Sequence, residues 1–287
     1  MPSQTIQWFP GHMAKTRRLI TECMPLVDLV IEVLDARIPQ SSKNPELARL
    51  LGTKPRLTVL SKSGLADPAA SEKWREYYKI TGAKAIFYDC RGGENMNAIA
   101  PAVRALMGEK LERYEEKGMT GRRLKAMIVG IPNVGKSSLI NKLSGQSKAK
   151  VEDRPGVTVN KQWIPTTIGI DLLDMPGVLW PKFEDMSVGE KLAFTGAVKD
   201  DVVDIETLAC RLLCVLNSLY KNELTTRYKI ETVEDEDGYE LLKKVGKARG
   251  MLVSGGEINT ERAAITVLDE FRGGKLGRIT LELPKGE

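Results

Sequence analysis

Residues 130–137 combine glycine, lysine and serine at the spacing of a loop that wraps nucleotide phosphates. The segment is Gly130-Ile131-Pro132-Asn133-Val134-Gly135-Lys136-Ser137, with Ser138 directly behind it, and it matches G-x-x-x-x-G-K-S/T. Such glycines let backbone N–H groups point at the phosphates, and the N-terminus of a following helix adds positive potential. We expect Lys136 to reach the β- and γ-phosphates and the Ser137 hydroxyl to ligate Mg²⁺. The alternative is a glycine-rich turn that binds no ligand. An apolar run before the loop and a helical pattern after it disfavour that alternative.

Asp174-Met175-Pro176-Gly177 supplies the second half of such a site. The aspartate follows a strand pattern at 169–173, about 40 residues after the phosphate loop. We expect its carboxylate to orient Mg²⁺ together with Ser137 and Thr158, and the Gly177 amide to donate to the γ-phosphate. By itself Asp-x-x-Gly is a common turn. Its place at a strand end downstream of the loop favours the nucleotide interpretation.

Apolar runs that alternate with helical patterns predict an α/β fold for the first two thirds of the chain. Strands are expected at 26–34, 56–60, 85–88, 124–129 and 169–173, and helices at 44–51, 69–79, 96–107 and 137–143. This alternation is typical of a mostly parallel sheet with helices on both faces. Further helices are expected at 193–198, 205–219, 239–247 and 261–271. The predicted organisation is therefore a basic aromatic N-terminal segment at 1–25, an α/β domain at 26–185 and an all-α domain at 186–287.

The composition is that of an ordinary globular protein and argues against a membrane protein. The 287 residues are 42% hydrophobic and 28% charged, and no apolar run approaches the ~20 residues that span a bilayer. The basic residues Lys15, Arg17 and Arg18 leave no room for the apolar core of a signal peptide, so we expect a cytoplasmic protein. The net charge of +5 permits a nucleic-acid partner without requiring one.

The order of the motifs resembles that of a known protein family. In ordinary small GTPases the base-reading segment follows Asp-x-x-Gly, whereas here a candidate, Ser61-Lys62-Ser63-Gly64, precedes the phosphate loop. The chain also contains Trp8-Phe9-Pro10-Gly11-His12-Met13, Asp35-Ala36-Arg37-Ile38-Pro39 and Trp180-Pro181-Lys182-Phe183. Together these segments resemble the circularly permuted GTPases of the YlqF type, also called ribosome biogenesis GTPase A.

The resemblance implies a GTP hydrolase that helps the late assembly of the large ribosomal subunit. The implied ligands are GTP or GDP and Mg²⁺, and the implied partners are the rRNA and proteins of that subunit. We also expect the chain to be a monomer. The implied fold is a circularly permuted P-loop GTPase domain followed by a smaller all-α domain. Because that domain follows Gly177 along the chain, a contact between Gly177 and the γ-phosphate could reorient it and switch subunit binding.

Hydrolysis by the chain alone is expected to be slow and to be stimulated by the ribosomal subunit. A conventional GTPase positions water with a glutamine directly after the Asp-x-x-Gly glycine, but here that residue is Val178, which cannot hydrogen-bond water. The resemblance implies that His12, the chain's only histidine, orients the water; a packing role is the alternative. It also implies that Asn133 helps to hold K⁺, whose charge would replace an arginine finger.

The base-reading segment departs from the family pattern Asn-Lys-x-Asp. Ser61 and Gly64 replace the asparagine and the aspartate, so the carboxylate that accepts two N–H bonds from guanine is missing. Lys62 can still pack its aliphatic stem over the base, and Asp67 would substitute for the aspartate if the loop bends. At Asp89-Cys90-Arg91 the usual serine is also absent, so contacts there are expected from backbone N–H groups.

Three interpretations are compatible with the sequence. The first is a GTPase of relaxed base preference, the second a ribosome-binding module with weak nucleotide affinity, and the third an ATPase unrelated to ribosomes. The N-terminal and C-terminal family motifs argue against the third. The residues expected to contact the nucleotide are Ser61, Lys62, Ser63, Gly64, Asp89, Cys90, Asn133, Val134, Gly135, Lys136, Ser137, Ser138 and Gly177.

Overall fold

The apolar runs of the sequence form the strands of one sheet. The computed structural model describes residues 10–93, 95–119, 121–145, 163–179 and 185–284, with side chains from residue 14 onward. Within these residues the strands are β1 (Leu29–Asp35), β2 (Arg56–Ser61), β3 (Ala85–Phe87), β4 (Leu124–Gly130), β5 (Trp163–Pro165) and β6 (Ile170–Asp174). Their order across the sheet is β3-β2-β1-β4-β6-β5. All neighbours are parallel except β5, which runs antiparallel to β6.

The order of the strands around the central strand β1 explains why the candidate motifs lie together at the carboxyl edge of the sheet. All seven of its residues are buried between β2 and β4, which is why it reads as a nearly continuous apolar run. The strand order reverses between β1 and β4, and ligands of open α/β sheets bind at the carboxyl ends of the strands at such a point. The phosphate loop follows β4, the Asp-x-x-Gly segment begins at the end of β6, and the base-reading segment begins at the end of β2.

Helices pack against this sheet, as the predicted fold class requires. They are α1 (Pro10–Cys23), α2 (Pro45–Leu51), α3 (Pro68–Ile80), α4 (Met96–Glu116) and α5 (Lys136–Ser144). The side chains of Asn44 and Asp67 accept hydrogen bonds from the first N–H groups of α2 and α3, as N-caps do. The α/β fold with a mostly parallel sheet is confirmed.

Helix α1 lies in the basic aromatic N-terminal segment predicted at 1–25. Its residues Ile20 and Cys23 are fully buried in a hydrophobic cluster with residues of the sheet and of α2. The Arg17 guanidinium also pairs with the Glu46 carboxylate on α2, with Nε and Oε2 2.8 Å apart. Helix α1 is therefore part of the α/β core.

The helices of the C-terminal part bury apolar stripes against each other. They are α6 (Met186–Phe194), α7 (Ile205–Leu219), α8 (Lys221–Tyr228), α9 (Gly238–Ala248) and α10 (Thr260–Gly273). Helix α7 shows leucines at helical spacing, and its buried residues include Leu208, Leu212 and Leu216. Gly238, the first residue of α9, packs closely against α7. A Cβ on Gly238 would lie 2.5 Å from the carbonyl oxygen of Cys210, so this close contact requires glycine.

The described chain divides into two units, one α/β and one helical. Residues 185–279 form the helical unit, while residues 280–284 belong to the α/β unit instead of to the all-α domain expected at 186–287. The reason is a set of contacts that the sequence does not reveal. The Leu281 N–H donates to the Arg37 carbonyl (2.8 Å), and Glu282 Oε2 accepts from the amides of Gln40 (2.8 Å) and Ser41 (2.9 Å). The Trp74 indole donates to the Glu282 carbonyl (3.0 Å).

Other differences from the sequence expectation concern short elements and element ends. Strand β5 has three residues and α8 has eight, and neither was predicted. Helix α4 continues to Glu116, nine residues past its predicted end at 107. The helix predicted at 193–198 instead occupies Met186–Phe194, because Thr195 is its C-cap and Gly196 has φ of +77°.

Candidate active site

The phosphate loop starts where β4 ends, at Gly130. This residue has φ of +156°, and a Cβ on it would lie well inside van der Waals contact with the Val33 carbonyl oxygen. Gly135, at the end of the loop, has φ of +103°, which favours glycine. The Ile131 and Val134 side chains between them are buried and anchor the loop to the sheet. The loop then enters α5, whose first N–H groups have no intrahelical acceptors and are suited to bind an anion.

Lys136 lies inside the loop. Only 8% of the residue is exposed, and its Nζ donates hydrogen bonds to the carbonyl oxygens of Gly130 (3.2 Å) and Ile131 (2.8 Å). Burial lowers the pKa of Lys136 to about 8, while the charge of Asp174 opposes that shift. Burial raises the pKa of Asp174, and Lys136 works against it. A polyanionic ligand would stabilise this buried ammonium group.

Oxygen donors of the kind that Mg²⁺ prefers lie at the same edge of the sheet. Ser137 is in the first turn of α5, and Asp174 is the last residue of β6, paired with Ile128 of β4. Mg²⁺ usually keeps several waters and takes one or two protein oxygens plus substrate phosphates, so this small donor set fits it. Among the described side chains, no group of three or more His, Cys, Asp or Glu could hold a metal by itself. Thr158, the third predicted ligand, lies outside the described residues.

Gly177 lies directly against the phosphate loop. A Cβ on Gly177 would lie 2.7 Å from both the Cα and the backbone nitrogen of Pro132, so only glycine fits there. The following residue is tied to the loop too, since the Val178 N–H donates to the Gly130 carbonyl (3.1 Å). The Val178 side chain is buried in the hydrophobic cluster that contains α1 and α2, and the Asn44 amide donates to its carbonyl (3.0 Å). Val178 therefore serves the core and offers no group that could orient water.

Ser61 connects the base-reading segment to the phosphate loop. It ends β2 and is buried, and its hydroxyl lies within hydrogen-bonding distance of the carbonyl oxygens of Leu34 (2.9 Å) and Val134. The single hydroxyl proton can serve either oxygen. The residue that replaces the family's asparagine thus holds the two loops together.

Lys62 is held by a buried cluster of charges that we call the Asp35–Arg37–Lys62 triad. Lys62 has φ of +56°, and its Nζ lies 3.0 Å from Asp35 Oδ2. The Arg37 guanidinium binds the same carboxylate, with Nε–Oδ1 at 2.9 Å and Nη2–Oδ2 at 2.8 Å. Burial alone would raise the pKa of Asp35, but the Arg37 and Lys62 charges hold that pKa well below its ordinary value. The Asp35-Ala36-Arg37 motif therefore fixes the lysine of the base-reading segment.

The carboxylate of Asp89 reaches the base-reading segment from the loop after β3. Its Oδ2 accepts a hydrogen bond from the Gly64 N–H (2.9 Å), and its Oδ1 accepts from the N–H groups of Arg91 (2.7 Å) and Gly92 (3.3 Å). Asp89 is 4% exposed. The expectation that this loop offers backbone N–H groups to the base stays a prediction. The only sequence signal for this carboxylate contact was an acidic residue directly after a predicted strand.

Asp67 does not take the place of the missing aspartate. Its Oδ1 accepts from the N–H groups of Ala69 (2.7 Å) and Ala70 (3.3 Å), so this carboxylate caps α3. A position close in sequence was thus a poor guide to a position close in space.

The other predicted residues have different degrees of exposure. Ser63 is buried in a short 3₁₀ turn, Cys90 and Ser138 are half-buried, and Asn133 is exposed with φ of +54°. His12 lies on α1, but its side chain is outside the described part of the chain. The segment Trp180-Pro181-Lys182-Phe183 is likewise outside the described residues.

Comparison with known sequences finds relatives along nearly the whole chain. A family model described as "50S ribosome-binding GTPase" matches residues 125–248. Ribosome biogenesis GTPase A of Bacillus cereus is 47% identical over 280 residues, which cover 98% of this chain and 94% of that protein. Mitochondrial ribosome-associated GTPase 1 of Bos taurus is 36% identical over 298 residues, covering 96% of this chain and 88% of that protein.

Solved structures with this architecture include two of YlqF. A GDP-bound YlqF structure superimposes with a TM-score of 0.71 at 25% identity, covering 94% of this chain and all of that one (100%). The GNP-bound YlqF of T. maritima gives a TM-score of 0.66 at 25% identity, covering 95% and 100%. Within the described residues, the helices are too short or too polar to cross a membrane.

Proposed function

This chain belongs to the ribosome biogenesis GTPase A family, and from that premise we propose that it hydrolyses GTP during late assembly of the large ribosomal subunit. The proposed nucleotide site is the carboxyl edge of the sheet, between the loops after β2, β3, β4 and β6. The proposed partners are the rRNA and proteins of that subunit, which the chain would meet as a monomer in the cytoplasm. The observation that carries the nucleotide site is the phosphate loop with the buried Lys136 inside it.

Each part of the triphosphate has a candidate partner in the chain. Lys136 would exchange its two carbonyl acceptors for phosphate oxygens, and the first N–H groups of α5 would bind the same anion. Bound Mg²⁺ would neutralise charge on the β- and γ-phosphates, and Ser137, Thr158 and Asp174 are the side chains proposed to hold it. The Gly177 amide is proposed to bind the γ-phosphate, which its close packing on Pro132 supports.

The chain path supports a switch driven by Gly177. The polypeptide leaves the α/β unit after this segment, forms the helical unit and returns to the α/β unit at residue 280. A shift of Gly177 on loss of the γ-phosphate would therefore pull on a segment that leads directly into the helices. We propose that this order–disorder step changes the affinity for the ribosomal subunit.

Slow intrinsic hydrolysis follows from the burial of Val178. Because this side chain packs in the core, the water must be oriented by another group. The proposed group is His12, with K⁺ bound near Asn133 supplying positive charge. A His12→Ala variant is expected to keep its affinity for GTP and to lose subunit-stimulated turnover. Unchanged stimulated turnover in this variant would exclude that role.

A nucleotide titration with and without large ribosomal subunits tests the proposed function. We expect the protein to bind labelled GTP. We also expect its affinity for the subunit to differ between GDP and a non-hydrolysable GTP analogue. Lys136→Met should weaken GTP binding by roughly a hundredfold, because two charge-assisted bonds are lost. Lys142→Met, which changes an exposed lysine on the same helix, is the matched control and should bind as the wild type does. If Lys136→Met and Lys142→Met bind GTP with equal affinity, the proposed nucleotide site is contradicted.

A second candidate function is a ribosome-binding module with weak nucleotide affinity. The observation that favours it is the replacement of two base-reading side chains by Ser61 and Gly64. Binding to subunits without measurable binding of GTP or ATP would favour the module. Binding of ATP in preference to GTP would favour an ATPase instead.

A further inference from the structure

The missing side chain at Gly64 leaves a space that another residue fills. A Cβ built on Gly64 would lie 2.5 Å from Oδ2 and 3.1 Å from Cγ of Asp89. The Asp89 carboxylate therefore occupies the space into which a side chain at position 64 would extend. Gly64 has no unusual φ, so a side chain would be compatible with its backbone but not with Asp89 in its present place.

We propose that Asp89 supplies the carboxylate that recognises the base, in place of the aspartate that is absent at position 64. The inference rests on the proposed GTP site. Guanine presents two N–H donors on one edge, N1–H and the 2-amino group, and a carboxylate oxygen can accept from either. Adenine presents an acceptor and a C–H at the same positions, so it cannot replace them. The chain thus retains guanine preference through a carboxylate that has moved from the loop after β2 to the loop after β3.

The contacts of Asp89 suit this role. The N–H groups of Gly64, Arg91 and Gly92 orient the carboxylate and use three of its four acceptor positions, so Oδ2 can accept a hydrogen bond from one of the two guanine N–H donors. The neighbouring elements are also fixed. Ser61 binds the phosphate loop, and Lys62 is anchored in the Asp35–Arg37–Lys62 triad. The carboxylate therefore sits at a defined distance from the phosphate loop, as reading a nucleotide base requires.

A change of base preference tests the proposal. Asp89→Asn keeps the shape of the side chain but replaces one acceptor oxygen by an NH₂ donor. Xanthine differs from guanine in carrying a carbonyl acceptor at the 2-position, so an amide matches xanthine better. Binding of GDP, XDP and ADP to the full-length protein would be measured by calorimetry. We expect GDP to bind at least roughly tenfold more weakly to Asp89→Asn, and XDP to bind more tightly than it does to the wild type.

Further variants separate recognition from structural support. In Gly64→Asp/Asp89→Ala the carboxylate returns to the loop after β2, and the shorter side chain at position 89 removes the collision, so GDP affinity should recover relative to Asp89→Ala alone. Asp67→Asn changes a carboxylate three residues from Gly64 that caps α3, and asparagine caps a helix equally well, so its nucleotide affinities should match the wild type. Thermal melts check that all variants are folded.

The outcomes distinguish this proposal from the proposed function. If the wild type binds GDP and Asp89→Asn binds it equally well, the carboxylate does not read the base. Equal losses for GDP, XDP and ADP would assign Asp89 a purely structural role in joining the two loops. No binding of any guanine nucleotide to the wild type would overturn the proposed GTP site and this inference together.

Discussion

The replacement Asp35→Asn tests whether the buried triad holds the α/β unit together. The side chains of Asp35 and Arg37 are each 2% exposed and that of Lys62 is 22% exposed, so one carboxylate balances two cations largely out of water. An asparagine keeps the shape and an acceptor for the Arg37 backbone N–H, which Asp35 Oδ1 binds at 3.0 Å. It removes the negative charge and leaves two cations facing each other.

The expected loss of unfolding free energy is about 3 kcal/mol. Removing one partner of a buried ion pair typically costs roughly 3–5 kcal/mol, and the lower value applies because Lys62 is partly exposed and can turn toward solvent. The double variant Asp35→Asn/Lys62→Met removes the surplus charge and should recover about 1 kcal/mol or more of this loss.

The same triad predicts a pH dependence with a definite sign. Because the Arg37 and Lys62 charges hold the pKa of Asp35 below its unfolded value, its contribution is fully present above the unfolded pKa of about 4. That contribution is lost as the pH falls from there toward the folded-state pKa. The stability difference between wild type and Asp35→Asn should therefore be largest near pH 7 and shrink below about pH 4.

Urea unfolding followed by far-UV circular dichroism at pH 7 and pH 3 measures both effects. Glu72→Gln is a suitable control, because Glu72 is 75% exposed in a surface pair with Arg75 and should change stability by less than about 0.5 kcal/mol. A loss below about 1 kcal/mol for Asp35→Asn at pH 7 would refute the reasoning. So would a difference from the wild type that is the same at both pH values.

Three further predictions concern the loops around the site. Gly130→Ala should destabilise the protein by more than about 2 kcal/mol, because its Cβ would collide with the Val33 carbonyl. The control is Gly108→Ala, within α4 and with open space around it, which should stabilise the protein by about 0.5–1 kcal/mol in the same urea assay. Glu282→Ala should cost about 1–3 kcal/mol and speed hydrogen exchange at the two amides that this carboxylate accepts from, whereas unchanged exchange there would contradict its role. GTP turnover should be faster in K⁺ than in Na⁺ at equal ionic strength, and identical rates would count against K⁺ at Asn133.

Local patterns of the sequence were sufficient to predict the sheet and the phosphate loop. The strands β1, β2, β4 and β6 are apolar because they are buried by neighbours, and this burial is visible as runs of hydrophobic residues. The phosphate loop was predictable because its chemistry depends on backbone geometry at consecutive residues, such as the positive φ values of Gly130 and Gly135. The short strand β5 was missed because three residues carry too little periodicity to signal a strand.

The tertiary structure alone decided which distant residues share a site. Asp67 is three residues from Gly64 yet caps α3, whereas the carboxylate of Asp89, 25 residues away, accepts a hydrogen bond from the Gly64 N–H. In the same way, the Glu282 carboxylate accepts hydrogen bonds from the amides of residues 40 and 41, which lie near the other end of the sequence. Hydrophobic periodicity reports which face of an element is buried, but not which loops meet at its end. That second question depends on strand order, which brings the ends of β2, β3 and β4 to one edge only once the whole sheet has formed.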